Sequence, residues 1–487
     1  MNGKTVRLSR RNLLLGTAAL GATGGASALL FTQSSKAATV GGIKNPLAIP
    51  PLDEGVMEAG TRVFNLDIQD GVSEFIAGLK TPTKGINGAF LGPVMHFRAG
   101  EDVRMNVTNS LREQTTLHWH GFHLPAHADG GPHQVINPAT TWSPEFKVRQ
   151  KASTMWYHSH LMGKTAEQVW AGIAGMIIVE DEEAKALGLP ETYGVDDIPV
   201  ALQDRTILAD GTMPYAPNMH DNMMGLTGNI PMANGTIGAV FDVTTSLVRL
   251  RLLNGANGSI YTIGFSDGRS FKKIASDGGL LAQPVEMQVM ALAPGERAEI
   301  IVDMSDGENT TLTHFVRLSQ TELSPEFAFL ELRPAQNLAP SNPLPAKLAS
   351  LAPATAAQAV NTRRFVLDMR GMMMMGRFTI NNVQMDMNVI NERVPVNTTE
   401  IWELENRSRM AHPFHVHNTQ FRILDRDGRS VGPAEQGLKD TVLLRAGERA
   451  RILTRFEDYT DPNLPYMYHC HILEHEDAGM MGQFTVV

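Results

Sequence analysis

Ten of the sixteen histidines lie in four compact clusters: His118-Trp119-His120, His158-Ser159-His160, His412-Pro413-Phe414-His415-Val416-His417, and His469-Cys470-His471 with His475. One His-x-His pair is common on a strand face without any metal, but four in one chain point to a metal centre. In a strand, residues i and i+2 share a face, so each pair aims two imidazoles into one space while the residue between points away. The pairs 118/120, 158/160, 415/417 and 469/471 therefore deliver eight imidazoles to one centre. By the same alternation, Cys470 points opposite to His469 and His471 and serves a different metal, so one covalent segment joins two sites.

The second site follows from ligand chemistry. A thiolate, two imidazoles and a weak axial thioether form the set that favours a blue copper electron-transfer centre. Cys470, His475 and Met480 fall within one terminal loop, and His412 can join them from a neighbouring strand. Cys470 is the only cysteine, which rules out an internal disulfide. A solitary cysteine is often just a small buried hydrophobe, but its histidine neighbours favour a ligand thiolate.

The elements that must carry these residues are strands. Short runs rich in Val, Ile, Leu, Thr and Phe, such as 103–107, 176–179, 247–253, 298–302 and 450–456, are separated by Gly, Pro, Asn and Asp. This punctuation predicts an all-β chain. Turn pairs Asn234-Gly235, Asp267-Gly268, Asp306-Gly307 and Asp427-Gly428 recur between the runs, and a short helix is predicted at 182–187. A length of 487 residues implies about three domains. Three blocks are drawn at 46–182, 195–334 and 363–487, with a Pro/Ala-rich linker at 335–362. Each block carries a strand-like phrase ending on Asn, "FRAGEDVRMNVTN", "FDVTTSLVRLRLLN" and "VPVNTTEIWELEN". These read as a threefold repeat of one β-sandwich or as convergent strand patterning.

Composition and the first segment bound the rest. Hydrophobic residues at 43% and charged residues at 19% exclude wholesale disorder and a multi-span membrane protein. Lys4, Arg7 and Ser9-Arg10-Arg11-Asn12-Leu13-Leu14, before a mild apolar stretch and a small-residue site at Ala37, predict a twin-arginine export signal over 1–37. The other reading of that stretch is a membrane anchor. Cleavage after Ala37 would remove five basic residues and take the formal charge from −9 to −14. Such a surface repels nucleic acid and attracts cations.

The four clusters resemble the four copper signatures of the multicopper oxidases, the family of laccases, bilirubin oxidases and bacterial cuprous oxidases, over nearly the whole chain beyond the signal. The resemblance implies three cupredoxin-like Greek-key β-sandwich domains and four copper ions. It makes His412, Cys470 and His475 the type 1 ligands with Met480 axial, and His118 and His415 the type 2 ligands. His120, His158, His160, His417, His469 and His471 would hold the type 3 pair. No ligand is missing, which argues against the family's copper-free cell-division relatives. Asp129, in Asp129-Gly130-Gly131-Pro132, matches the family's buried carboxylate beside the trinuclear centre, and Glu476 follows His475. Both are candidates to deliver protons and orient imidazoles. The alternatives are a turn residue for Asp129 and a solvated face for Glu476. His96, His123, His127, His133, His220 and His314 are assigned no metal.

The oxygen chemistry leaves the electron donor open. Of 26 methionines, Met369, Met372, Met373, Met374, Met375, Met385, Met387 and Met410 precede or adjoin the third block's ligands. Thioether suits Cu(I), although most methionines fill cores; four in a row in a strand cannot all face one core. Segments "INNVQMDMN", "HPFHVHNTQFRIL" and "HCHILEHEDAGMMG" resemble the bacterial copper-efflux cuprous oxidases. The resemblance puts Met369 and Met410 in a cuprous substrate site, with Met372 to Met375 as further candidates. Ser408 stands where an aspartate is expected, and the Met/His-rich insertion of some members is much shorter here. The expected function is oxidation of Cu(I) to Cu(II) in copper detoxification, coupled to reduction of dioxygen to water. The alternatives are a laccase-like oxidase of phenols and aromatic amines, and a periplasmic copper-binding or buffering protein. The expected setting is a monomer in the periplasm, or secreted, with no nucleic-acid partner and no stable membrane anchor after processing.

Overall fold

The computed structural model describes residues 38, 41–319, 322–370 and 377–487. The expected export signal and Met372 to Met375 lie outside the described residues. Six β-sheets account for nearly all regular structure, and they fall in pairs along the chain. The first pair is built from strands between Leu52–Asp53 and Ala174–Glu180, the second mainly from Asp197–Arg205 to Leu323–Ala339, and the third from Asn361–Arg370 to Met481–Val486. All five expected runs lie in strands, and the helix expected at 182–187 is α2 (Glu182–Lys185), following α1 (Thr165–Ala171). Among the described residues no helix is long and apolar enough to cross a membrane.

Local chemistry explains the turns. Asn234-Gly235 joins Ile230–Ala233 to Thr236–Ile237 with φ of 50° and 72°, the doubly left-handed turn that matches strand twist. Asp427-Gly428, at 50° and 75°, does the same between Arg426 and its bridge partner Arg429.

The three phrases ending on Asn share one structural device. Asn109, Asn254 and Asn406 are each the last residue of a strand and each is buried. Each Oδ1 accepts the amide two residues on, from Leu111, Ala256 and Ser408. Each Nδ2 donates to main-chain carbonyls across the corner, of Glu113 and Ile136, Ser259 and Leu292, and Met410 and Leu444. A side chain that satisfies three backbone groups at a strand exit fixes the corner, so the repeat is one of structure. The third copy matters most, because Asn406 sets the loop that runs through Ser408 and Met410 into His412.

Two boundaries differ from the sequence expectation. The strand Leu323–Ala339 continues through Pro334 into the expected linker, because its parallel partner Ala239–Thr245 continues beside it across an irregular register. Asn45–Pro46 pairs with Ala239 and Val240, so the start of the first block belongs to the second pair of sheets. The buried apolar side chains of the first and third segments form one continuous core, including Trp119, Tyr157, Phe365, Trp402, Tyr468 and Phe484, while the middle segment packs its own around Tyr261 and Phe329. The histidine strands lie where the first and third segments meet.

Candidate metal centres

Strand register assembles the imidazoles. His118–His120 runs antiparallel to Ser153–His158 with His118 opposite His158, and His412–Val416 runs antiparallel to Tyr466–Cys470 with His415 opposite His469. Cross-strand partners share a face. Cys470 is opposite Phe414, on the other face from His469, as alternation requires.

Eight imidazoles converge, all buried. They group as His120, His158 and His471; His160, His417 and His469; and His118 with His415 and His417, the potential ligand atoms in each group lying within 4.8 Å of one another. The Nε2 of His469 is 3.2 Å from that of His160 and 3.3 Å from that of His417. Buried without any hydrogen-bond partner are His118 Nε2, His120 Nδ1, His158 Nε2, His415 Nε2 and both nitrogens of His471. Orphaned nitrogens facing one another fit a shared cation, since a buried lone pair without a partner costs free energy.

The outer nitrogens fix five of the rings. Nδ1–H donates to a main-chain carbonyl in His118 (Asp129 O, 2.8 Å), His158 (Ser159 O, 2.8 Å), His415 (Asp440 O, 2.8 Å) and His469 (Cys470 O, 3.1 Å). His417 Nδ1–H donates to Asp129 Oδ2 at 2.8 Å. Such contacts set the tautomer and leave the inner lone pair free for a metal. Burial pushes all eight imidazoles below their ordinary pKa, His469 to about 4. Neutral rings are the ligating form.

The sulfur site is a triangle. His412 Nδ1 is 3.4 Å and His475 Nδ1 3.6 Å from Cys470 Sγ, and the two nitrogens are 3.3 Å apart. Met480 is buried, its carbonyl accepting from Cys470 N at 3.0 Å and its amide donating to His475 O at 2.8 Å. Burial pushes the Cys470 thiol up, so a bound cation is what would hold it as thiolate. Outside the triangle, His412 Nε2 lies 2.7 Å from Ser408 Oγ. His475 Nε2–H donates to Met223 O at 3.1 Å, and its ring stacks on Phe378 at 4.6 Å. Met369 pairs with Phe378 across the hairpin Asn361–Arg370/Arg377–Ile380, which puts it on the same face. Met369 and Met410 are half-buried against the core that contains Cys470 and Met480. Met385 is half-buried too, its amide donating to Gly479 O.

Both expected carboxylates are buried beside imidazoles. Asp129 also makes the turn: Gly130 follows at φ 73°, and a side chain there would run into Leu117 O. Glu476 is not on a solvated face. It lies in α4 (Leu473–Asp477), its oxygens 3.3 Å from His160 Nδ1 and 3.2 Å from His469 Nδ1. Burial is what raises both carboxyls well above the usual range.

A third carboxylate escaped the sequence reading. Asp440 Oδ1 lies 3.0 Å from His120 Nε2, and the guanidinium of Arg297 grips both its oxygens at 2.7 and 2.5 Å. No spacing motif marks it; the only signal is a Lys-Asp-Thr interrupting an apolar run. Trp156, stacked on His158 at 4.1 Å, was missed for the same reason. The unclustered histidines go elsewhere: His123 meets Asn418 O and Asp458, His133 meets Gln483, and His96 meets Glu54.

Two multicopper oxidase profiles match residues 67–184 and 358–487. The multicopper oxidase mco of Staphylococcus aureus is 34% identical over 448 residues, covering 91% of this chain and 93% of its own. The cell division protein FtsP of Dickeya dadantii is 35% identical over 457 residues, with 91% and 93% covered. The laccase-like multicopper oxidase CueO of a lignin-degrading Ochrobactrum sp. superposes with a TM-score of 0.84 at 37% identity, over 91% of this chain and 100% of that one. A metallo-oxidase from Campylobacter jejuni superposes with a TM-score of 0.82 at 26% identity, over 93% and 98%. The structural neighbours carry the cupredoxin-like fold, and identity alone does not separate an oxidase from a cell division protein. Here the ten clustered histidines and Cys470 all stand in ligand geometry, and with relatives this similar along nearly all its length the chain is an oxidoreductase that belongs to the multicopper oxidase family.

Proposed function

We propose that this oxidase takes single electrons from Cu(I), releasing Cu(II), and uses four of them to reduce dioxygen to water in copper detoxification. The supporting observation is how His475 is closed off. Its outer N–H is occupied by Met223 O and its ring is covered by Phe378. An aromatic donor has neither a free hydrogen-bonding edge nor a bare ring to meet, whereas a small soft cation needs only thioethers such as Met369 and Met410, and Met372 to Met375 are further candidates.

Four coppers bound here would supply a one-electron acceptor at the sulfur site and multi-electron reduction of dioxygen among the imidazoles. His412, Cys470 and His475, with Met480, would hold the electron-entry ion. His118 and His415 would hold the type 2 ion, and His120, His158, His160, His417, His469 and His471 the type 3 pair. The strand Tyr466–Cys470 runs from thiol to imidazoles, linking the two centres through Cys470 and its flanking histidines. Asp129 and Glu476, buried against ligand rings, are placed to hold and pass protons that dioxygen reduction consumes. Asp440, pinned by Arg297, orients His120.

Every ligand comes from one chain, so a monomer is complete. We assign 46–182, 195–334 and 363–487 to three cupredoxin-like domains, with Asn45–Pro46 going to the second and its last strand running on to Ala339, and residues 1–37 to a twin-arginine signal that delivers the folded protein to the periplasm. One observation favours a laccase-like donor instead: His412 rests on the neutral Ser408, so the expected acid is missing from the cation's path. Oxygen uptake with Cu(I), compared with a phenol such as 2,6-dimethoxyphenol, separates the readings. Faster turnover with Cu(I) supports the cuprous donor, faster turnover with the phenol supports the laccase, and copper binding without oxygen uptake leaves a buffering protein.

A further inference from the structure

The third segment is not the only source of thioethers at the electron-entry site. α3 (Met219–Met224), in the middle segment, reads Met-His-Asp-Asn-Met-Met. Its start is fixed reciprocally: Asn218 Oδ1 accepts the amides of His220 and Asp221, and Asp221 accepts the amide of Asn218. The 3.6-residue repeat puts Met219, Met223, His220 and Met224 within an arc of roughly 140°, at the i,i+3 and i,i+4 spacings where side chains meet. All four are exposed, the methionines by 57%, 41% and 44% for Met219, Met223 and Met224. Among the described residues Met57 is the one other methionine in that class. Methionine is ordinarily buried, so three thioethers offered to water on one short helix are not there to fill a core.

The same helix is stitched to the ligand loop. His475 Nε2–H donates to Met223 O at 3.1 Å, and Leu226 N donates to Glu474 Oε2 at 3.0 Å. Between them Gly225, at φ +86°, lies so close to Ile472 and Gly258 that a Cβ there would come within 2.8 Å of both. The cluster is thus one hydrogen bond away from a sulfur-site ligand.

We propose that α3 is a soft-metal site that takes Cu(I) on the thioethers of Met219, Met223 and Met224, with the His220 imidazole at its edge. It is an electron-entry point separate from Met369 and Met410, and it rests on Cu(I) being the donor. Neutral sulfur ligands favour Cu(I) over Cu(II), so the site holds the substrate and lets go of the product. The step is Cu(I) giving Cu(II) and one electron, with no proton moved; four such electrons and four protons turn one dioxygen into two waters. The electron enters along the Met223 carbonyl to His475 hydrogen bond. A net charge of −9 draws the cation towards the protein.

Silver(I), a soft cation that does not donate electrons, is the probe. The copper-loaded protein is titrated with Ag(I) by equilibrium dialysis, alongside Met219→Leu/Met223→Leu/Met224→Leu and Met369→Ser/Met410→Ser. Leucine keeps volume and helix propensity, and retained blue absorption shows that the sulfur site is intact; should the triple variant lose it, Met219→Leu alone, farthest from the Met223 carbonyl, replaces it. The expected result is that each variant loses its own silver equivalent, or binds it about tenfold more weakly, and that their combination loses both, with kcat/KM for Cu(I) about tenfold lower in the α3 variant. Unchanged silver binding in the α3 variant overturns the site. If the unmodified protein takes up no oxygen with Cu(I), the donor reading falls and electron entry through α3 falls with it, while an α3-dependent loss of silver still identifies the soft-metal site.

Discussion

The two metal centres share strands and residue types but are held differently. Around the imidazole cluster the outer nitrogens of His118, His158, His415 and His469 end on main-chain carbonyls, and those of His417 and His120 meet the buried carboxylates of Asp129 and Asp440. Around the sulfur site, His412 ends on the hydroxyl of Ser408 and His475 on a carbonyl of a short surface helix. A deeply buried, charge-bearing frame keeps the oxygen chemistry constant. A neutral edge built from loops of two different segments is where the choice of electron donor can vary without disturbing it.

Breaking the link between the centres should have the largest effect. Cys470→Ser is expected to eliminate the blue thiolate-to-copper absorption and all substrate oxidation while the imidazole cluster still binds copper, as read by absorption and metal content. A blue, active Cys470→Ser protein would contradict the assignment of both sites.

Loosening the frame comes next. Asp440→Ala leaves His120 Nε2 only the hydroxyl of Thr441, at 3.3 Å, and removes the carboxylate that Arg297 grips. Losing such an outer partner typically costs about 10–100-fold in metal affinity or activity. The expectation is a drop of that size in oxygen uptake with blue absorption retained, since Asp440 does not touch the sulfur site. Equal loss of blue absorption would mean that the whole fold had been disturbed.

At the neutral edge the effects should be selective. Met369→Ser with Met410→Ser should lower kcat/KM for Cu(I) by about tenfold for each ~1.4 kcal/mol of transition-state stabilisation removed, while sparing or improving oxidation of bulky phenols. If both substrates fall together, the two methionines are structural; if neither changes, the protein is a laccase-like oxidase. Smallest of all is Met480→Leu: with Met480 as the fourth ligand proposed above, the variant should stay blue and show a raised reduction potential at the sulfur site, because leucine offers no weak donor to stabilise the oxidised metal. An unchanged potential would turn attention to the neighbouring Met481.

The same contrast explains what was legible in the sequence. The imidazole pairs could be read because i and i+2 lie close together, although only His118 and His120 both sit in a strand and His160, His417 and His471 stand just past their strand ends; Cys470 could be set apart by the strand period alone. Asp129 was legible as turn and as carboxylate, and it is both. Asp440 was not, because its meaning depends on Arg297, 143 residues away. The burial of Glu476 depends on α1, whose first amides are capped by Asp477 at 3.0 and 2.9 Å, drawing α4 under cover. Met223 reaches His475 from 252 residues away, and nothing near either residue announces it. The overrun of Leu323–Ala339 past Pro334 is likewise set by a partner strand and not by its own composition. Contacts made by periodicity can be read from the chain, whereas contacts made by tertiary closure cannot.

The central claim, that electrons from Cu(I) enter at the sulfur site and complete the reduction of dioxygen at the imidazole cluster, is tested most directly by stoichiometry. Cu(I) oxidised and oxygen consumed are measured together in the copper-loaded protein, with peroxide assayed in the same vessel. Four Cu(I) per dioxygen with no peroxide is the predicted result. Two Cu(I) per dioxygen with peroxide released, or no oxygen uptake above the uncatalysed rate, would contradict it.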